Sequence, residues 1–368
     1  MLKALINATT YTGREKLTGK AVLINGTRIE SVIEQDRVPA VATRIDCKGH
    51  FLAPGLIDLQ IAGAGGYLFS SHPNAEALEG IKNAILKTGT TGFLIAIPTN
   101  TPEVYRDVIN TVRENPSPAL LGLHVEGPFI SPLRRGAHMK NYIRIPSEED
   151  ARSFLKDSED VIKMFTIAPE VCNQYVYDAA LDKGIVLAAG HSNATFSEAV
   201  TGFNRGIKTT THLFNAMSQL HHRDPGLPGA VFQSDHARAS IIADGIHVDY
   251  NIISIAKKLM KERLFLISDA VEENLNGAYL HVRQEDRFTL PDGTLSGSLL
   301  TMMKAVRNSV REAGIPADEA LRMASTYPAM VVNLKDRGEI LPGYKADIVI
   351  FDGDFEIKMV FSNGEQVN

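Results

Sequence analysis

The chain has 368 residues, 44% of them hydrophobic and 22% charged, with a formal net charge of −5. That balance is ordinary for a globular protein and lacks the basic footprint of nucleic-acid binding. No apolar run approaches the roughly 20 residues a membrane span needs. The opening residues, Met1 to Gly13, show neither the apolar stretch nor the cleavage site of a secretory leader. Cys47 and Cys172 stand far apart without metal-type spacing, which fits a reducing cytoplasm. A cytoplasmic protein with no nucleic-acid or membrane partner is the expectation.

Residues 1–53 read as short strands. The runs at 21–24 and 28–33 flank Asn25-Gly26, the strongest short-range hairpin signal. The far end of the chain has the same grammar, with strands at 346–351 and 358–361 and a turn at Ser362-Asn363-Gly364. Neither end alone supplies enough strands to bury a core. Together, 1–53 and 335–368 are expected to form one small, discontinuous β-sandwich domain.

Between them, over 54–334, short apolar strands alternate with helical stretches. Strands are expected at 55–59, 92–96, 120–124, 164–167, 185–189, 209–211, 240–242 and 264–267. Helices are expected among them at 75–87, 101–113, 170–183, 196–205 and 250–261. Eight such alternations predict an α/β fold, a TIM-type (β/α)8 barrel. A doubly wound open sheet is the competitor, but it usually opens on a glycine-rich dinucleotide turn, which Gly63-Ala64-Gly65-Gly66 fits poorly.

In a barrel the C-terminal strand ends form the active face. Six of the eight strands are followed closely by a metal-capable or ionisable residue: Gln60, Glu126, His191, His212, His247 and Asp269. The fourth strand runs into Ala168-Pro169 and supplies no ligand. A carboxylate and two imidazoles from separate strand ends, Glu126, His191 and His212, can converge on one divalent ion. His124, two residues before Glu126 on the same strand face, reads equally as packing or as support for the ligands. His221 and His222 read as surface residues.

The motifs at 54–58 (Pro-Gly-Leu-Ile-Asp), 124–128 (His-Val-Glu-Gly-Pro), 190–194, 211–217, 242–247, 268–270 and 294–298 together carry a resemblance. The chain resembles the N-acetylglucosamine-6-phosphate deacetylases of the amidohydrolase superfamily over nearly its whole length. The resemblance implies that Glu126, His191 and His212 bind one divalent metal per chain, with zinc first and iron, cobalt or manganese as substitutes. It implies Asp269 as the proton shuttle and His138 as a donor to the substrate carbonyl. His247 would meet the sugar or its phosphate, and Asn215 with the Ala216 backbone would contact the 6-phosphate. Arg223 would supply charge to that phosphate across a homodimer interface, reaching the neighbouring active site. The segment 294–298 would form a wall of the acetyl pocket.

Two departures stand out. Where many superfamily members place a His-x-His pair for a second metal, this chain reads Gln60-Ile61-Ala62. Gln60 is therefore expected at the water or substrate. The run Ala270-Val271-Glu272-Glu273-Asn274 also differs from the small, Pro/Gly-containing segment of the family. The competing activity is a cyclic-amide hydrolase of the dihydroorotase or allantoinase type. The missing His-x-His, the lack of a fourth-strand lysine and the presence of Asn215 and Arg223 speak against it.

Overall fold

Side chains on a strand point alternately to opposite faces, and this splits the first hairpin between two cores. The computed structural model, which describes residues 1–367, pairs Lys20–Asn25 antiparallel with Arg28–Glu34. Ala21 and Leu23 pack with Ala4, Val38 and Ala42, whereas Val22 and Ile24 pack with Leu5, Ile29, Ile348 and Phe361. The first sheet runs in the order Arg28–Glu34, Lys20–Asn25, Leu2–Ile6, Thr43–Asp46. A second sheet of six short strands mixes both ends of the chain. In it Phe51–Pro54 lies between Thr9–Tyr11 and Ile348–Phe351, with Ala53 opposite Val349.

Eight parallel strands fill the middle of the chain: β1 (Leu56–Ile61), β2 (Thr90–Ile97), β3 (Leu120–Glu126), β4 (Ile162–Ile167), β5 (Val186–Ala189), β6 (Thr209–Thr210), β7 (Arg238–Ile242) and β8 (Leu264–Ile267). Each is hydrogen-bonded to the next in sequence. That is the order of a (β/α)8 barrel, whereas a doubly wound sheet reverses its order part-way. β8 meets β1 through backbone bonds around the C-terminal ends of the two strands. The Asp269 N–H donates to Gln60 O at 3.0 Å, and the Ala62 N–H donates to Ala270 O at 2.8 Å. Strands such as β2 and β5 are buried along their whole length, which is why they read as continuous apolar runs rather than as alternation.

Several strands run a residue or more beyond the expected bounds, and two shifts bear on the site. β1 continues to Ile61, so Gln60 is a strand residue rather than a loop residue beyond it. The helix expected over 170–183 spans Gln174–Leu181, because Asn173 caps it by accepting from the Tyr175 N–H. Glu170 is thereby left in the loop after β4.

A buried arginine fastens the sandwich to the barrel. The Arg337 guanidinium lies 2.7 Å from Asp347 Oδ2, with side chains 4% and 6% exposed. It also donates to the carbonyls of Thr91 and Pro118 on the barrel side. Burial raises the Asp347 carboxyl and the Arg337 charge opposes that rise. Arg337→Met strands the carboxylate, so it is expected to destabilise the protein by about 3–5 kcal/mol. The readout is a lower denaturant midpoint at unchanged slope. A loss below about 1 kcal/mol, the size of an exposed pair, would place the fastening elsewhere. Among the described residues, no helix is long and apolar enough to cross a membrane.

Candidate metal centre and active site

The floor of the site is a polar belt inside the barrel. Buried His124 on β3 holds Leu59 O at 3.0 Å through Nδ1 and Thr166 Oγ1 at 2.7 Å through Nε2; Thr166 Oγ1 lies 2.6 Å from Thr211 Oγ1. A carbonyl can only accept, so Nδ1 carries the proton and the hydroxyls donate in one direction, Thr211 to Thr166 to His124. Burial lowers the His124 pKa to about 4, and the ring is neutral. Both of its nitrogens are occupied, so His124 is a strand-to-strand tie and no ligand.

Above this belt Glu126, His191 and His212 meet. The last two follow β5 and β6 in left-handed backbone, at φ +47° and +34°, a conformation that side chains other than glycine adopt at a cost and that clusters at functional sites. Gly190 permits the first of these turns, because a Cβ there would sit 2.7 Å from Thr166 Cγ2. His191 Nδ1 lies 3.2 Å from Arg134 O and His212 Nδ1 lies 3.2 Å from Asn215 O. Both Nδ1 atoms therefore carry protons, and both Nε2 lone pairs point elsewhere. They point at each other, 3.1 Å apart, and at Glu126 Oε1, 3.5 and 3.4 Å away. Three buried acceptors thus converge within 4.8 Å of one another. A cation satisfies such a set, and the outward N–H to carbonyl bonds are the support that metal-binding histidines use.

Around this cluster lies a cavity of about 340 Å³, lined among others by His138, Asn215, Ala216, His247 and Asp269 and walled by 294–297. His138 Nδ1 accepts from the Thr99 N–H at 3.2 Å. Nδ1 also lies 2.8 Å from Thr99 Oγ1, so Thr99 holds this edge of the ring and leaves Nε2 free of it. Burial, then the neighbouring His191, lowers the His138 pKa well below its ordinary value. Asp269, at φ +50°, is raised by burial while His212 pulls the other way. His247 is held through Nδ1 by Asp244 Oδ2 at 2.7 Å.

Two of the expected residues are not in the cavity. Gln60 is 1% exposed and turns sideways: its Nε2 donates to Asp269 Oδ1 at 2.9 Å. It therefore touches Asp269 and does not line the cavity, because β1 continues through it to Ile61. Arg223 lies on the exposed surface of the same chain, where its backbone N–H donates to His221 Nδ1 at 3.3 Å.

Other residues escaped the sequence reading. Glu170 accepts from Ser192 Oγ at 2.7 Å and from the Asn193 N–H at 2.6 Å, bracing the loop that carries His191. Its position after a strand end was a usable signal, hidden by its helix-like neighbours. Tyr279 donates to Thr99 O and His281 lies 3.0 Å from Ser296 Oγ, both lining the cavity from the segment after Asp269. No local motif marks either one.

The amidohydrolase family model matches residues 51–367, and the NagA composite domain matches residues 3–52. The N-acetylglucosamine-6-phosphate deacetylase of Haemophilus influenzae is 34% identical over 99% of both chains. The chain belongs to the amidohydrolase family. Within that family it is similar to the human N-acetylglucosamine-6-phosphate deacetylase, at 34% identity over 96% of this chain and 92% of the other. The crystal structure of the Pasteurella multocida deacetylase superposes with a TM-score of 0.96 at 35% identity, over 100% of this chain and 99% of the other. A mutant of the Mycobacterium smegmatis deacetylase, solved in complex with N-acetyl-D-glucosamine-6-phosphate, superposes at 0.93 with 27% identity over the same shares. This amidohydrolase thus shares its barrel and its composite domain with that set from end to end.

Proposed function

We propose that this protein hydrolyses the N-acetyl group of N-acetyl-D-glucosamine 6-phosphate, giving D-glucosamine 6-phosphate and acetate, as a cytoplasmic step of amino-sugar catabolism. The observation that carries the reading is the convergence of three buried lone-pair donors in a cavity that Asp269 and His138 also line. The deacetylase relatives favour this reaction over cyclic-amide hydrolysis. Glu126, His191 and His212 would hold one divalent ion, zinc by preference, since two imidazoles, a carboxylate and an open position suit it. Iron, cobalt or manganese could replace it. Bound there, such an ion lowers the pKa of a water to about 7 and supplies the nucleophile.

The chain's own groups supply the rest. Gln60 occupies Asp269 Oδ1, which leaves Oδ2 to take the proton of the attacking water and return it to the departing amine. His138 donates from Nε2 to the amide oxygen as that oxygen gains negative charge. His247, Asn215 and the Ala216 backbone bind the sugar and its phosphate, and 294–298 bounds the acetyl group. The chain divides into the sandwich (1–53 and 335–368) and the catalytic barrel (54–334). The deciding assay is acetate release from phosphorylated and unphosphorylated N-acetylglucosamine, with metal content measured on the same sample. Absence of release from the phosphorylated sugar by metal-loaded protein would overturn the reading.

Arg223 fits a homodimer in which it reaches the partner's phosphate site, for it lies exposed and outside its own cavity. A guanidinium binds phosphate through two parallel hydrogen bonds. Arg223→Ala is therefore expected to raise KM for the phosphorylated sugar by roughly 10–100-fold, the worth of a charge-assisted contact. Activity on the unphosphorylated sugar should barely change. Equal losses on both substrates would remove Arg223 from phosphate recognition.

A further inference from the structure

Asp269 occupies a left-handed backbone position at φ +50°. A residue with a Cβ persists there only when its surroundings over-determine it. Four contacts bracket it. Its own N–H donates to Gln60 O at 3.0 Å, and its carbonyl accepts from the Ser298 N–H at 2.9 Å. On one side Ser298 Oγ donates to Ser268 O at 2.5 Å, and on the other the Ala270 N–H donates to Ser268 Oγ at 3.1 Å. Ser268 thus grips the turn across Asp269. Its hydroxyl can accept from Ala270 in that geometry only if its own proton goes elsewhere.

That proton goes to Asp58. Ser268 Oγ donates to Asp58 Oδ2 at 2.5 Å, while Asp58 Oδ1 accepts from the backbone N–H groups of Ser268 and Gln60, both at 3.2 Å. Asp58 is 1% exposed and has three donors around it and no acceptor. Burial pushes its carboxyl up to about 7, against the pull of the Ser268 and Gln60 bonds. A buried carboxyl of this kind is costly unless its site uses it. It stands at the junction of β1 and β8, and both strands lead directly to the reacting carboxylate. Gln60, whose N–H it fixes, is the residue whose side chain holds Asp269 Oδ1.

The geometry points to Asp58 as a positioning residue of the reaction: through Ser268 and Gln60 it fixes the backbone and the carboxylate of Asp269. The inference rests on Asp269 being the proton shuttle. Asp58 does not line the substrate cavity and touches neither the metal-binding set nor the sugar space. It lines instead a separate cavity of about 200 Å³, together with Ser268 and Ser298. A misplacement of about 1 Å at a reacting group can lower turnover 100-fold, so this remote carboxyl has leverage.

The test compares Asp58→Asn, Ser268→Ala, Ser268→Thr and Asp269→Asn in the metal-loaded protein. Ser268→Ala and Asp58→Asn are each expected to lower kcat by roughly 10–100-fold. KM and metal content should stay within about twofold of the parent, because ligands and sugar contacts are untouched. The limb of the kcat–pH profile that reports the base should shift in both variants. Ser268→Thr keeps the hydroxyl, and the adjoining cavity gives its methyl room, so it should recover most of the turnover. The Asp58→Asn/Ser268→Ala double variant should cost little more than either single one, as expected for residues in one chain of contacts. Unchanged kcat in Ser268→Ala, or equal failure of Ser268→Thr and Ser268→Ala, would overturn the inference. So would an Asp58→Asn loss that appears in KM or metal content. If Asp58→Asn does not fold, the two Ser268 variants decide alone. Should Asp269→Asn itself keep near-full turnover, the assignment of the shuttle fails instead.

Discussion

Alanine at Glu126 or at His191 is expected to release the metal and to lower acetate release by roughly 10⁴-fold or more. Without such an ion a water keeps its ordinary high pKa and is hardly ionised at neutral pH. The cause is geometric: each of these side chains contributes one of three converging lone pairs, and two do not make a site. Gln60→Ala should leave metal content untouched, because Gln60 faces Asp269 and not the cluster. Elemental analysis after dialysis against metal-free buffer, paired with activity titration, reads both effects. One equivalent per chain, lost from Glu126→Ala and kept by Gln60→Ala, is the expected pattern. Two equivalents, both needed for full activity, would sink the single-metal site. Ala62 weighs against that outcome, since a methyl group cannot coordinate.

Asp269→Asn comes second in size. It preserves shape and can still accept from Gln60, but it cannot take up a proton. Turnover is expected to fall by roughly 10²–10⁴, the usual worth of general acid-base help. Metal content should stay at one equivalent, because Asp269 is not among the three converging donors. Near-full turnover with the metal in place would take Asp269 out of the mechanism. The substitution also separates its effect from that of Glu126→Ala, which removes metal and activity together.

The barrel was legible because most of its strands are short apolar runs buried on both faces, alternating with stretches of helical rhythm. Glu126, His191 and His212 were legible for a related reason, as polar residues where those runs stop. What the pattern could not reveal were contacts that depend on closure of the ring. Gln60 looked like a loop residue aimed at substrate, yet closure sets it against Asp269, 209 residues later in the chain. Asp58 read as part of a motif without a task until β8 arrived beside β1. Glu170 was absorbed into a helix that Asn173 begins three residues later. Arg337 carried no signal, because its partner Asp347 and its carbonyl acceptors come from separate parts of the chain.

The sheet that mixes the two chain ends also dictates an order of assembly. Ala53 stands opposite Val349, so a ladder between strands roughly 300 residues apart must close late, after much local structure exists. During synthesis the strand Phe51–Pro54 waits with one edge unpaired while the barrel that follows it is made. Exposed edges of this kind are where nascent chains aggregate. The first hairpin can form at once, since it needs only its own turn at Asn25-Gly26. The six-stranded sheet cannot, and its central strand has no partner on one side until Ile348–Phe351 leaves the ribosome. Truncation after the barrel would therefore leave a chain that contains every catalytic residue and still presents an open β-edge to its neighbours.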